Sequence, residues 1–165
     1  MKTKDRYFQF PDTTALLVIK SNVLEHLYKH AQIKSSDYES GGQIFSRNIS
    51  DSIVVVNEIT GPYSSDQRDR THWKPNKKQL VRDRQTMFSN GLHVVGLWHT
   101  HPEAKPHPSF TDRETCESHL KLLDKAYTGF LMLTLGNGGT PLNLSVFLSK
   151  RSHNAWQQLV EKLEP

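Results

Sequence analysis

The sequence predicts an α/β protein with a mixed central sheet flanked by helices. Short segments rich in β-branched residues alternate with segments whose apolar positions recur every three or four residues. The chain has 165 residues, of which 35 % are hydrophobic and 23 % charged. That composition supports one folded core but is too short for two catalytic domains. We therefore expect a single domain over residues 1–165, with three or four helices packed around one sheet.

The first half of the chain predicts a strand, a helix and a hairpin. Residues 15–19 are a short apolar run, and Ser21 is a candidate cap for the amphipathic helix that follows. Residues 44–45 and 53–59 are rich in β-branched side chains, and the polar residues 48–52 separate them. We expect these two segments to pair as a hairpin.

The second half predicts two or three helices and three strands. Asn76, with Gln79 three residues later, favours a helix N-terminus at this point. Its expected buried stripe is Leu80, Val81, Met87 and Phe88. Residues 92–98 form a nearly continuous apolar run, typical of a buried strand. The remaining expected elements are a helix from about Thr111, strands over 130–135 and 142–148, and a closing helix over 153–163.

Composition also limits the classes of protein. No run of 18 or more apolar residues is present, so no membrane-spanning helix and no membrane partner are expected. The first residues lack the apolar segment of a secretory signal. The single cysteine, Cys116, allows neither an internal disulfide nor a cysteine-based zinc cluster. Together these features predict a cytoplasmic protein.

Charge and histidine mark two separate places in the chain. The net charge is +4, yet the segment from Arg68 to Arg84 alone carries seven basic and two acidic residues. This basic segment contains Trp73 as its one aromatic residue and no glycine-rich phosphate loop, so a nucleic-acid partner is not expected. Three interpretations of the basic segment remain: a solvated helix face, a surface for an acidic partner and the flank of a cleft. Four of the nine histidines lie between His93 and His107.

Two of those histidines form a candidate metal site. His99 and His101 are two residues apart at the end of the predicted buried strand, so their side chains project to one face and can bind one ion. A catalytic zinc needs a third protein ligand, and Asp112 lies eleven residues further on, at the start of the next helix. Ser109 and Asp112 also match a capping box, which is compatible with a metal-ligand role.

Hydrolysis at such a site also needs a group that accepts a proton. Glu39 is the favoured candidate because the glycines at 41 and 42 allow close backbone approach beside it. An acid before two glycines can equally be a solvated turn, and Glu58 and Glu103 compete for the role. Cys116 lies one helical turn past Asp112; we expect a core thiol, since a fourth ligand would close the site.

These residues resemble the motif of the JAB/JAMM (MPN+) metalloproteases, in which a glutamate is followed by His-x-His, seven residues, Ser, two residues and Asp. The resemblance covers most of residues 15–150 and implies a sandwich fold related to cytidine deaminases. It implies one zinc ion with His99, His101 and Asp112 as ligands. It further implies that Glu39 transfers the proton and that Ser109 hydrogen-bonds the oxyanion.

The family hydrolyses isopeptide or peptide bonds after the C-terminus of ubiquitin or a ubiquitin-like protein. The segments 59–62 and 96–102 look like those of small bacterial JAB proteins, encoded beside ubiquitin-like, E1-like and E2-like partners in defence operons. The resemblance therefore implies deconjugation or precursor processing of a ubiquitin-like protein. A non-catalytic MPN scaffold and a RadC-like DNA-associated protein are the alternatives.

Overall fold

The computed structural model describes residues 2–49 and 52–165. Within these ranges there are three α-helices: α1 Ser21–Lys29, α2 Lys77–Ser89 and α3 Phe110–Leu122. The strands, in chain order, are β1 Arg6–Gln9, β2 Leu16–Ile19, β3 Gly41–Ser46, β4 Ile53–Val56, β5 Glu58–Ile59, β6 Gln67–Arg68, β7 Trp73–Lys74, β8 His93–Thr100, β9 Gly129–Leu135, β10 Leu144–Lys150, β11 Trp156–Gln158 and β12 Val160–Lys162. Across the described part of the chain, every helix falls short of the length and apolarity that crossing a bilayer requires.

The strands form one large mixed sheet, one smaller sheet and a short hairpin. The large sheet has the order β11-β10-β9-β8-β3-β5, in which β8 and β9 are parallel and the other neighbours antiparallel. The smaller sheet has the order β12-β1-β2-β4. Strands β6 and β7 pair only with each other, and we call them the cleft hairpin. The mixed sheet flanked by helices confirms the predicted fold class; the smaller sheet was not predicted.

The large sheet is covered on both faces, which gives the protein two hydrophobic clusters. On one face, α1 and the smaller sheet pack against it through side chains such as Leu24, Val56 and Leu133. On the other face, α2 and α3 cover a second cluster that includes Leu97 and Cys116. Burial on both faces explains why β8 and β9 read as continuous apolar runs rather than alternating ones. Cys116 is a core thiol, as predicted.

A bulge in β8 determines the face of the sheet on which the side chains at the end of this strand lie. The pairing of β3 with β8 shifts between Ile44 and Phe45, so that Val95 has no directly opposed partner. Such a bulge resets the alternation of side chains along the strand. Val94 and Leu97 consequently belong to the same cluster, beneath α3. Because alternate residues share a face, His99 follows Leu97 onto the α3 side of the sheet.

The predicted hairpin between residues 44–45 and 53–59 is wrong in its main pairing. Strand β4 leaves the large sheet and runs parallel to β2 in the smaller one. Only the two residues of β5 pair with β3. The turn predicted over 48–52 lies partly outside the described residues. The reason is that β-branched composition predicts a strand but does not determine its partner.

The closing helix predicted over 153–163 is also wrong. A single 3-10 turn, Ser152–Asn154, precedes β11 and β12, which join the edges of the large and the smaller sheet respectively. Leu159 between them is buried, whereas Leu163 is exposed. Pairing with two existing sheet edges outweighs the helical spacing of the apolar residues, because local propensity is a weak preference.

Two details of the helices differ from expectation as well. Helix α1 begins at Ser21, with Lys20 in the cap position and no side-chain cap. Asn76 does cap α2 by accepting a hydrogen bond from the Gln79 backbone, as predicted. Of the expected α2 stripe, Leu80 is buried and Met87 half-buried, but Val81 and Phe88 are exposed.

The interior position of Leu133 leads to a prediction about stability. Leu133 is fully buried in β9, and replacing it with alanine removes contacts from the cluster that joins the two sheets. We expect Leu133→Ala to lower the free energy of unfolding by about 2–5 kcal/mol. Leu122, which is 85 % exposed, is the matched control, and Leu122→Ala should stay within about 0.5 kcal/mol of wild type. Urea denaturation measures both values, and equal losses in the two variants would contradict the described packing.

Candidate active site

The end of β8 and the start of α3 bring three predicted site residues together. His99 is buried, and its Nε2 atom lies 2.8 Å from Nε2 of His101. Oδ2 of Asp112 lies 3.1 Å from the first of these nitrogens and 3.5 Å from the second. The end of the strand therefore supplies two candidate ligand atoms and the helix a third, all within 3.5 Å of one another.

Each imidazole is oriented by a partner on its other nitrogen. Nδ1 of His101 lies 2.8 Å from a carboxylate oxygen of Glu103, and Nδ1 of His99 lies 3.1 Å from the sulfur of Met132. Both partners can accept a hydrogen bond, and in the tautomer that donates one from each Nδ1 atom, both Nε2 lone pairs face the same point. A carboxylate behind a histidine in this way is typical of metal-binding imidazoles.

The capping box predicted at the start of α3 is present. The Ser109 hydroxyl oxygen accepts a hydrogen bond from the Asp112 backbone at 3.1 Å, and the Ser109 backbone donates to Oδ2 of Asp112 at 2.7 Å. Capping thus fixes the orientation of the same carboxylate oxygen that faces the histidines. Within the described residues, the Ser109 hydroxyl donates to no protein acceptor, so its hydrogen is directed to the cleft or to solvent.

Glu39 lies beside the two histidines. It is 6 % exposed, and a carboxylate oxygen, together with one nitrogen from His99 and one from His101, forms a group with all separations within 4.8 Å. Its backbone N–H donates to the carbonyl of Asp69 in the loop of the cleft hairpin at 2.7 Å. Of the competing acids, Glu103 contacts the outer face of His101, and Glu58 is exposed on β5.

Burial and neighbouring charges shift the pKa values of these groups in different directions. Burial raises the pKa of Glu39, an effect that the nearby His99 and His101 only partly oppose. Burial alone would raise the pKa of Asp112 too, but its hydrogen bonds to His101 and His99 outweigh that effect and hold the pKa well below its usual range. Two acids at one site thus differ in basicity: Asp112 stays a carboxylate, while Glu39 is the stronger proton acceptor.

The site opens into a cleft of about 920 Å³. One wall is the cleft hairpin, and the other is formed by the residues after β8 and the start of α3, including Pro102 and Thr111. The Trp73 ring of the hairpin lies close to Gly41, where a Cβ atom would collide with it. The indole nitrogen donates to Asp66, so the aromatic wall beside Glu39 is held in place.

The basic segment is not one surface. Arg68 and Lys74 line the cleft, while Arg84 is half-buried and donates to the side chains of Gln43 and His119 at 2.6 and 2.8 Å. The three remaining basic side chains of α2 are exposed: Lys77, Lys78 and Arg82. The basic side chains of this segment point in different directions. The interpretation as the flank of a cleft therefore holds only for Arg68 and Lys74.

Sequence reasoning missed two sets of residues around the site. Glu103 had been considered only as a proton acceptor, not as the partner of His101. Thr100, between the two histidines, makes a buried hydrogen bond to Gln32, which is 68 positions away. Strand alternation signals that Thr100 faces away from the histidines, but no local pattern identifies its partner.

The donor set fits a divalent metal such as zinc. Two imidazole nitrogens with free lone pairs and one ionised carboxylate are the three-ligand set that catalytic zinc sites use. The two Nε2 atoms are 2.8 Å apart, close enough for one ion to contact both when their lone pairs are free. Glu39 offers an alternative third ligand, since it too lies within reach of both histidines.

An α/β sandwich with a candidate donor set at a strand end is the arrangement that the resemblance to JAB-type domains implies. A sequence model described as prokaryotic homologs of the JAB domain matches residues 20–148, and the chain belongs to that family. The resemblance predicted from the motif is thereby confirmed.

Three curated relatives carry the name CD-NTase/cGAS isopeptidase. The Escherichia coli relative is 37 % identical over 102 residues, covering 58 % of this chain and 63 % of the relative. The Pseudomonas aeruginosa relative is 30 % identical over 62 % and 66 % of the two chains, and the Vibrio cholerae relative 33 % identical over 63 % and 68 %. The matched region thus spans about two thirds of the length of these relatives.

The fold has a counterpart among solved structures. The solution structure of protein DSY2949 from Desulfitobacterium hafniense superposes with a TM-score of 0.60. The alignment covers 87 % of this chain and 88 % of that one at 18 % identity. At this identity the likeness concerns the fold alone, and it agrees with the mixed sheet described above.

The donor set leads to a prediction about metal binding. Zinc added to metal-free protein should raise the free energy of unfolding, by about 2.7 kcal/mol at 100 times its dissociation constant. His101→Ala removes one of the converging nitrogens and should abolish most of this increase. His107→Ala changes an exposed histidine of the same loop and should retain it. Thermal unfolding with and without zinc measures the shift, and an unchanged shift in His101→Ala would contradict the site.

Proposed function

We propose that this protein is a zinc-dependent isopeptidase built on one JAB/MPN+ domain over residues 1–165. The observation that carries the proposal is the convergence of His99, His101 and Asp112, with the buried Glu39 beside them, at the base of an open cleft. A peptidase needs a site that activates water, a proton acceptor and room for an extended chain, and this cleft supplies all three.

In this proposal His99, His101 and Asp112 hold one zinc ion. Zinc, when bound, supplies Lewis-acid activation of water and of the scissile carbonyl. The protein's contribution is to fix the ligands. Glu103 keeps the His101 ring in the orientation that directs Nε2 inward, and the Ser109 backbone does the same for the Asp112 carboxylate.

Glu39 acts as general base and then as general acid. Its carboxylate takes one proton from the attacking water molecule while the remaining hydroxide adds to the carbonyl carbon. When the C–N bond breaks, the same proton passes to the departing amine nitrogen, which becomes the free lysine or N-terminal amine. Burial raises the pKa of Glu39, which strengthens it as a proton acceptor.

Ser109 stabilises the negative charge that develops on the carbonyl oxygen. Its hydroxyl oxygen already accepts the Asp112 backbone N–H, so the hydroxyl hydrogen is available to donate to substrate. The position of Ser109 on the cleft wall, next to Asp112, supports this role. In other hydrolases, removal of one such donor lowers kcat by about 100- to 1000-fold.

The substrate in this proposal is a conjugate joined through the C-terminus of a modifier. The relatives' name, CD-NTase/cGAS isopeptidase, favours a conjugate that contains a CD-NTase. A ubiquitin-like modifier is the broader expectation from the family. In either case E1-like and E2-like operon partners would form the bond that this enzyme removes.

The test is cleavage of two fusions by purified, zinc-loaded protein. One carries a CD-NTase and the other a ubiquitin-like protein, each joined through its C-terminus to a fluorescent protein. We expect hydrolysis at the junction of at least one fusion. Glu39→Gln should lower kcat by about 100- to 10,000-fold, because it removes the proton acceptor. Its zinc content should equal that of the wild type.

Glu114→Gln is the matched control, since it makes the same chemical change at an exposed position of α3. It should cleave at the wild-type rate. Full activity in Glu39→Gln would exclude Glu39 as the base. Tight binding of a fusion without hydrolysis by the zinc-loaded wild type would instead favour the non-catalytic scaffold.

A further inference from the structure

Thr100 links the strand of the histidines to the backbone beside Glu39. Its side chain points away from His99 and His101, and it is fully buried. The Thr100 hydroxyl oxygen accepts a hydrogen bond from the Ser40 backbone N–H at 3.0 Å, and the Thr100 backbone donates to the Ser40 carbonyl at 2.9 Å. The residue next to Glu39 is thus bound to the residue between the two histidines.

Gln32 extends this link to the cleft hairpin. Its side-chain oxygen accepts a hydrogen bond from the Thr100 hydroxyl at 2.8 Å. Its side-chain nitrogen donates to the carbonyl of Arg70, in the loop of the cleft hairpin, at 2.7 Å and to that of Asp37 at 3.3 Å. Because the nitrogen must face the two carbonyls, the amide has only one orientation that also satisfies Thr100. Gln32 is 1 % exposed.

The cleft hairpin holds Glu39 from the opposite side. The Asp69 carbonyl accepts the Glu39 backbone N–H at 2.7 Å. The Arg68 guanidinium donates to the Ser40 hydroxyl at 2.7 Å and to the Glu39 carbonyl at 3.4 Å. Residues 39 and 40 are therefore fixed between the hairpin wall of the cleft and the end of β8.

We propose that Gln32 and Thr100 are positioning residues that hold Glu39 at a set distance from His99 and His101. This inference rests on the proposed function and adds residues that touch neither metal nor substrate. Proton transfer requires the carboxylate to stay within hydrogen-bond reach of the reacting water, so a small displacement of the 39–40 backbone costs rate. Since Gln32 binds the hairpin as well, the cleft wall and Glu39 form one unit.

The first test uses two substitutions of Thr100 with a matched control. Thr100→Val keeps the shape and removes the hydroxyl, whereas Thr100→Ser retains it. Thr134 in β9 is directly paired with His99 and equally buried, and its hydroxyl has no partner among the described residues, so Thr134→Val controls for the same chemical change. Cleavage kinetics of the fusion substrate and zinc content are measured for all three.

Thr100→Val should lower kcat by about 10- to 100-fold with KM changed less than about threefold, because the bound substrate is unaffected but Glu39 is misplaced. Thr100→Ser should recover most of kcat, Thr134→Val should match the wild type, and zinc content should remain constant. Three results would each overturn the proposal. They are a wild-type kcat in Thr100→Val, a loss of activity in that variant that arises from KM or from a lower zinc content, and a Thr100→Ser variant as slow as Thr100→Val.

The second test does not depend on cleavage. Gln32→Met removes both hydrogen-bonding ends of the amide at nearly constant volume. In the zinc-loaded protein, amide hydrogen exchange should accelerate in residues 38–42 and 68–72 together and stay unchanged in β9. No acceleration, or a uniform one across the fold, would overturn the link. If the wild type cleaves neither fusion, the proposed function fails, while this exchange experiment still decides whether Gln32 holds Glu39.

Discussion

Two imidazole nitrogens 2.8 Å apart, with one carboxylate oxygen within 3.5 Å of both, form the arrangement on which the rest of the site depends. A shared proton or a cation between the two rings stabilises such a close approach, and rigid structure must hold the rings in place. The rigid element is β8, which at the level of His99 is paired on both sides: with Gly41 on β3 and with Thr134 on β9. The bulge at Val95 then selects the face on which the histidines lie.

Asp112 shows how one residue serves folding and chemistry at once. As part of the capping box it receives the Ser109 backbone N–H and stabilises the first turn of α3, typically by about 1 kcal/mol. The same oxygen completes the histidine pair. A helix start is favourable for an anionic side chain, so the carboxylate gains from the dipole before any metal binds. In the proposed site, capping and metal binding reinforce each other.

The predictable part of the site was the part encoded locally. His99, His101, Ser109 and Asp112 lie within fourteen positions, where strand alternation and cap chemistry determine direction. Glu39 was proposed from the adjoining glycines and from its match to the motif, but its closeness to the histidines depends on the pairing of β3 with β8. The bond between Gln32 and Thr100 had no sequence signal at all. In the same way, β4, β11 and β12 pair with strands that composition cannot specify. For this reason the predicted hairpin and the predicted closing helix were wrong.

In the proposed site, Asp112, and not Glu39, is the third metal ligand, which leaves Glu39 free to transfer a proton. Diffraction from zinc-soaked crystals, recorded on both sides of the zinc absorption edge, tests it directly. We expect one anomalous peak bonded to Nε2 of His99, Nε2 of His101 and a carboxylate oxygen of Asp112, at about 2.0–2.2 Å. The Glu39 carboxylate should lie beyond bonding distance. A peak bonded to Glu39, with Asp112 serving only in the capping box of α3, would contradict the assignment of Asp112 as the third ligand.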